Sequence, residues 1–170
     1  VYVSEVMWWL YRPLTFMIWG GVFERYPRLK TVIVEGGTMF MLPPWLRLLD
    51  HNYRDVQFSA KLGDFRSHLS MAPSEYYRRN IAIGASCVPR ADLELRNAIG
   101  TQQIMWGSDY PHPEGTWPNT ADYFKSTFSG FPEEDGRQIL GENAIQFYGL
   151  DREQLQPVAN EIGPDASLFA

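Results

Sequence analysis

The chain has 170 residues, a net charge of −5, 45% hydrophobic side chains and 21% charged ones. That length and balance support one domain with a real core and exclude a disordered chain. The charge is negative and no basic stripe occurs, which excludes nucleic acid as an expected partner.

The most apolar run, "LTFMIWGGVF" at 14–23, falls far short of the roughly 20 residues that span a bilayer, so no membrane association is expected. Aromatic residues make up 15% of the chain, enough for large buried contacts or an aromatic-walled pocket. The single cysteine, Cys87, rules out an intramolecular disulfide and multi-cysteine metal sites. A reducing, cytoplasmic setting fits it, and the first residues lack the basic region of a secretory signal.

In chain order, Pro13 reads as the start of a helix running to Tyr26 and stopped by Pro27. The β-branched run Thr31–Val34, bounded by Gly36 and Gly37, predicts a buried strand. A helix is expected over Pro44–Tyr53, with Trp45, Leu48 and Leu49 on one face and Arg47 and Asp50 directed elsewhere. Residues 54–79 read as a long polar excursion with one helical turn at Pro73–Tyr77. "NIAIGAS" (80–86) predicts a second strand, and "PRADLELRNAIG" (89–100) a helix closed by Gly100. A third strand ends in "IMWGSD", and helices follow at 119–128, 133–140 and 142–148. From Asp151 the composition predicts a surface tail.

This βα alternation predicts an α/β fold with a parallel sheet. In such folds the C-terminal ends of the strands carry the site, which places Glu35, Ser86 and Asp109 at comparable positions on one rim.

Three segments, "GGVFERYPRLKTVIVEGG" (20–37), "IMWGSDYPHPEG" (104–115) and "ILGENAIQFYGL" (139–150), resemble the C-terminal portion of the amidohydrolase-related family. This family of metal-dependent hydrolases and decarboxylases includes aminocarboxymuconate-semialdehyde decarboxylase. The resemblance implies a (β/α)8 barrel with a divalent metal, zinc or manganese, at its C-terminal mouth. It implies that residues 1–150 are part of that barrel, about strands six to eight, and that 151–170 are a tail. Family members hold the metal with a His-x-His pair on the first strand, a His on the fifth and an Asp on the eighth. Asp109 matches that Asp. No His-x-His occurs here, and Glu35 stands where the family has an acid/base His on the sixth strand. The resemblance, together with Val1 as first residue, places strands one to five before this sequence.

Each candidate has a plainer reading beside the functional one. Asp109 is a metal ligand and proton carrier, or a turn residue. His112, between Pro111 and Pro113, contacts substrate or orients the acid, or bonds to a backbone carbonyl. Glu35 is an acid/base catalyst, or the partner of Arg54 or Arg79. Trp117 lies in a Gly/Pro loop and reads as a substrate-pocket wall, whereas Trp45 and Trp106 read as core. His51 and His68 read as surface or helix-end residues, and Cys87 as packing.

The expected function is a metal-dependent hydrolase or decarboxylase of a small carboxylic acid, aromatic or unsaturated. The alternative is a catalytically inactive truncated fragment or association module that pairs with copies of itself through exposed barrel edges. A flavodoxin-like binding domain is disfavoured because no glycine-rich phosphate loop opens a helix.

Overall fold

A computed structural model describes residues 2–35, 39–55 and 59–170. The chain divides into two compact units, Val1–Ile33 with Thr38–Ala82, and Val34–Gly37 with Ile83–Ala170.

The first unit opens with α1 (Tyr2–Trp19), which contains Pro13 instead of starting at it. An interior proline costs on the order of 3 kcal/mol in a helix. Here the inward row opposes that cost: Val6, Met7 and Leu10 are half-buried, and Tyr11, Leu14 and Ile18 are buried at helical spacing on both sides of Pro13. The helix ends at Gly20 and Gly21, and Gly21 takes a left-handed φ of 67°. A Cβ at Gly21 would meet the His68 ring at 2.9 Å, and that ring donates from Nε2 to the Trp19 carbonyl at 2.8 Å. A separate turn, α2 (Val22–Arg25), then buries Phe23 completely.

Strand β1 is Thr31–Ile33, one residue shorter than expected. Only Ile33 is buried, and Val34 is exposed. The expected role of Gly36 and Gly37 falls outside the described residues.

In α3 (Leu42–Arg54) the buried row is Leu42, Leu46 and Leu49. Leu48, expected inside, is exposed, and Trp45 stacks on Tyr11 with ring centroids 5.1 Å apart. Asp50 is engaged: its carboxylate accepts from the Ser74 amide (2.8 Å) and hydroxyl (2.7 Å). This fastens α3 to the first turn of α5 (Pro73–Asn80), which follows the short α4 (Ser59–Leu62). Asn80 is fully buried and donates to the Pro27 and Leu29 carbonyls at 3.0 and 2.7 Å, fixing the chain that enters β1.

Strand β2 (Ile81–Ser86) neighbours β1 and continues into the second unit, where it pairs in parallel with β3 (Ile104–Gly107). The register runs from Ile83↔Ile104 to Ser86↔Gly107. A parallel pair joined through helices makes this an α/β fold, as expected. The single helix expected over 89–100 is two turns, α6 (Arg90–Leu93) and α7 (Arg96–Ile99). Leu93 and Ile99 are both buried, yet six residues apart they would face different sides of one continuous helix. The break lets both reach the core.

After α8 (Thr120–Phe128), α9 (Glu133–Arg137) runs through a π-helical turn (Gln138–Glu142) into α10 (Asn143–Tyr148). Buried Asn143 donates to the Thr101 and Ile104 carbonyls, both at 2.7 Å, and so pins the start of β3. The tail carries structure that composition did not indicate: α11 (Arg152–Ile162), capped by the Asp151 carboxylate, and a 3-10 turn (Ala166–Phe169). The Phe169 ring occupies the space over Gly136 and meets Phe128 edge-on.

Candidate functional site

The strand ends share a backbone feature. Among the described residues, the non-glycine positions with positive φ are Glu35 (54°), Cys87 (47°) and Asp109 (62°). Each follows a strand by one or two residues. A left-handed non-glycine residue costs on the order of 1–3 kcal/mol, and such outliers concentrate at functional sites. At the end of β2 this position belongs to Cys87, one residue beyond the expected Ser86.

The loop after β3 is built to aim side chains. Its closing bonds run from the Thr116 amide to the Ser108 carbonyl (2.9 Å), from the His112 amide to the Asp109 carbonyl (2.9 Å), and from the Gly115 amide to the His112 carbonyl (3.0 Å). Gly115 sits against this frame: a Cβ there would lie 2.8, 3.0 and 3.1 Å from the carbonyl oxygens of Ser108, His112 and Asp109. No side chain fits without moving the backbone.

The fold thereby gathers Asp109 and His112, with His112 Nδ1 3.6 Å from Asp109 Oδ2. The Asp109 side chain is 17% exposed and that of His112 55%. Glu114 joins them, so that one donor atom from each of the three lies within 4.8 Å of the others. Two carboxylates and an imidazole suit zinc or manganese, so this donor set fits a divalent cation.

The loop also carries the aromatic residue expected at a pocket wall, Trp117, exposed on the surface. Trp117 is 66% exposed and makes an edge-to-face contact with Tyr110 at 5.7 Å. Trp106, by contrast, packs edge-to-face on Phe124 at 4.6 Å, a core role as expected.

Cys87 touches the end of β3 once and the loop twice. Its amide donates to the Gly107 carbonyl (3.1 Å), and its thiol lies 3.6 Å from the Ser108 carbonyl oxygen and 3.7 Å from that of Glu114. Burial first, then the nearby Asp109 charge, pushes the thiol pKa up; the Thr116 backbone opposes them, and the Glu114 charge adds the least. Behind the loop, Tyr123 donates to the Val88 carbonyl, and burial raises its hydroxyl to about 12.

Glu35 is exposed, and no ion pair or hydrogen bond ties it to Asp109 or His112. Nor does an arginine neutralise it among the described residues: Arg54 pairs with Asp50 at 3.7 Å, and Arg79 donates to the Phe23 carbonyl at 2.7 Å.

Sequence reasoning did not single out Glu114, Tyr110 or the contacts of Cys87. Glu114 had a readable signal, a third donor residue five positions after Asp109 in the same motif. The Cys87 contacts had none, because they depend on the β2–β3 register.

Comparison with known proteins agrees with these motifs. The family model described as amidohydrolase matches residues 10–150. A 2-amino-3-carboxymuconate-6-semialdehyde decarboxylase from Dictyostelium discoideum is 30% identical over 135 residues, which are 79% of this chain and 35% of that protein. The crystal structure of 5-carboxyvanillate decarboxylase from Sphingomonas paucimobilis superposes with a TM-score of 0.63 at 30% identity, over 79% of this chain and 38% of that one. A dihydroxybenzoic acid decarboxylase from a Polaromonas species, solved with bound manganese and 2-nitroresorcinol, gives a TM-score of 0.59 at 23% identity, over 79% and 38%. That last likeness is one of fold alone. The chain thus spans little more than a third of the length of these relatives. None of its described helices is long and apolar enough to cross a membrane.

Proposed function

Because this chain belongs to the amidohydrolase family, we propose that it is part of a metal-dependent hydrolase or decarboxylase acting on a small carboxylic acid, aromatic or unsaturated. The observation that carries this reading is the Asp109–His112–Glu114 cluster on the loop after β3. Two of the relatives above, each 30% identical to this chain, are decarboxylases by name.

On this reading β1, β2 and β3 are strands six to eight of a (β/α)8 barrel within residues 1–150, and 151–170 are its tail. Asp109 holds a zinc or manganese ion, with His112 and Glu114 within reach of the same cation. Such an ion supplies Lewis acidity, polarising a substrate oxygen or promoting ionisation of water. Asp109 also moves a proton at its free carboxylate oxygen. Glu35, exposed and without a cation partner among the described residues, is the general acid/base in place of the family histidine. Its carboxylate is free to exchange a proton with solvent and substrate. The half-exposed His112 ring keeps a second nitrogen for the substrate carboxylate. Trp117 with Tyr110 offers an aromatic wall to an unsaturated ring.

The test is carbon dioxide release or hydrolysis from a panel of hydroxylated benzoates and unsaturated dicarboxylates by the polypeptide that contains this chain. Turnover lost to a chelator and restored by manganese or zinc is expected. Turnover indifferent to the chelator would contradict the reading.

A second reading is an association module without catalysis. It is favoured by α1, where Trp8, Trp9 and Phe16 are 71%, 65% and 64% exposed. Sedimentation of the 170-residue chain separates the two. Concentration-dependent self-association without metal-dependent turnover supports the module, whereas a monomer contradicts it.

A further inference from the structure

We propose that Cys87 is a positioning residue that clamps the donor loop Ser108–Thr116 onto the end of β2. The inference rests on the reading of Asp109 as a metal ligand for its consequence, and on geometry for its substance.

The clamp makes one contact with the end of β3 and two with opposite ends of the loop. The Cys87 amide bonds to Gly107, the last residue of β3. The thiol lies 3.6 Å from the Ser108 carbonyl oxygen, just before Asp109, and 3.7 Å from that of Glu114, just before Gly115. Its single proton therefore serves both ends of the segment that carries Asp109, His112 and Glu114. The Ser108 carbonyl already accepts the Thr116 amide, so the thiol adds to the junction that closes the loop.

Cys87 holds a φ of 47°, which a cysteine adopts only at a cost, and it shares this conformation with the two strand-end acids. A side chain valued only for packing would not need it. A thiol donor is individually weak, so what the clamp supplies is placement: it ties both ends of the donor segment to the end of β2, a link that the Tyr110 amide–Ser108 hydroxyl and Thr116–Thr120 hydroxyl bonds do not make. Serine keeps a donor at the same position with a shorter reach, whereas alanine keeps none.

Amide hydrogen exchange of the metal-free polypeptide that contains this chain, and of its C87A and C87S variants, tests the clamp. A lost hydrogen bond of ordinary strength predicts that amides across 108–116 exchange about tenfold faster in C87A, with 120–128 unchanged and C87S close to the parent. Equal exchange across 108–116 in parent and C87A would overturn the proposal, as would acceleration spread equally over 120–128. In a Zn²⁺ titration the affinity should fall about tenfold in C87A and recover in C87S, while the core variant I139V keeps the parent affinity at a comparable loss of thermal stability. Alanine and serine losing affinity alike would count against the clamp. If the parent polypeptide binds no Zn²⁺, the ligand reading of Asp109 fails, and the exchange data alone decide the role of Cys87.

Discussion

His112 returns to Asp109 twice: its amide donates to the Asp109 carbonyl at 2.9 Å, and its ring Nδ1 lies 3.6 Å from Asp109 Oδ2. The backbone bond fixes the spacing, so the ring contact is a property of the loop, not of a freely moving side chain. His112→Ala should leave the fold intact, because the ring is half-exposed and the amide bond survives. Loss of one hydrogen bond to a charged substrate predicts a KM about tenfold higher for a carboxylate substrate. Steady-state kinetics of the polypeptide containing this chain would show it, and an unchanged KM would remove His112 from substrate binding.

Glu35 stands at a strand end with a left-handed φ of 54° and no cation partner among the described residues. Glu35→Gln preserves shape and removes the ionisable proton. A cost of about 10²-fold or more in rate, with bound metal retained, is the expected outcome for a general acid–base role. A variant with altered thermal stability and full activity would instead indicate a structural carboxylate.

The parts of this arrangement that local chemistry dictates were readable in the sequence. The buried pair Ile104 and Met105 followed by a polar turn announced β3 and Asp109. Gly100 and Pro89 marked the limits of the α6–α7 segment even though the break between the turns was not visible. Pro13 misled because its ring is usually a boundary, whereas continuous inward packing from Leu10 to Ile18 carries α1 through it. Leu48 misled because only the packing partner decides which of two adjacent leucines turns inward. The Cys87 contacts depend on the register of two strands whose paired residues lie 21 positions apart in sequence, Ile83 with Ile104, which no local pattern encodes.

Gly115 is wedged among three carbonyl oxygens, the nearest 2.8 Å from where a Cβ would sit. Gly115→Ala must displace the loop backbone, at about 1–3 kcal/mol by the usual cost of overpacking. A lower melting temperature together with weakened divalent-metal binding is expected. Parental metal affinity in a destabilised variant would separate the loop frame from the donor geometry.

Glu24 accepts from the Ser70 hydroxyl and amide and from the Tyr76 hydroxyl, and these bonds lower its pKa from 4.5 to about 2. A depressed carboxylate stabilises the folded state above its unfolded pKa, and the contribution disappears as pH falls through the folded value. The difference in melting temperature between the parent and Glu24→Gln should therefore be constant above about pH 4.5 and shrink between there and about pH 2. A difference that does not change over this window would contradict the network.

On the function proposed above, the loop after β3 presents Asp109 to a catalytic divalent metal. Metal content and turnover of the polypeptide containing this chain, compared between the parent and Asp109→Ala after loading with zinc or manganese, test it most directly. The account predicts an intact fold by circular dichroism, a clear loss of bound metal and abolished turnover in the variant. Parental metal content together with parental turnover in Asp109→Ala would contradict it.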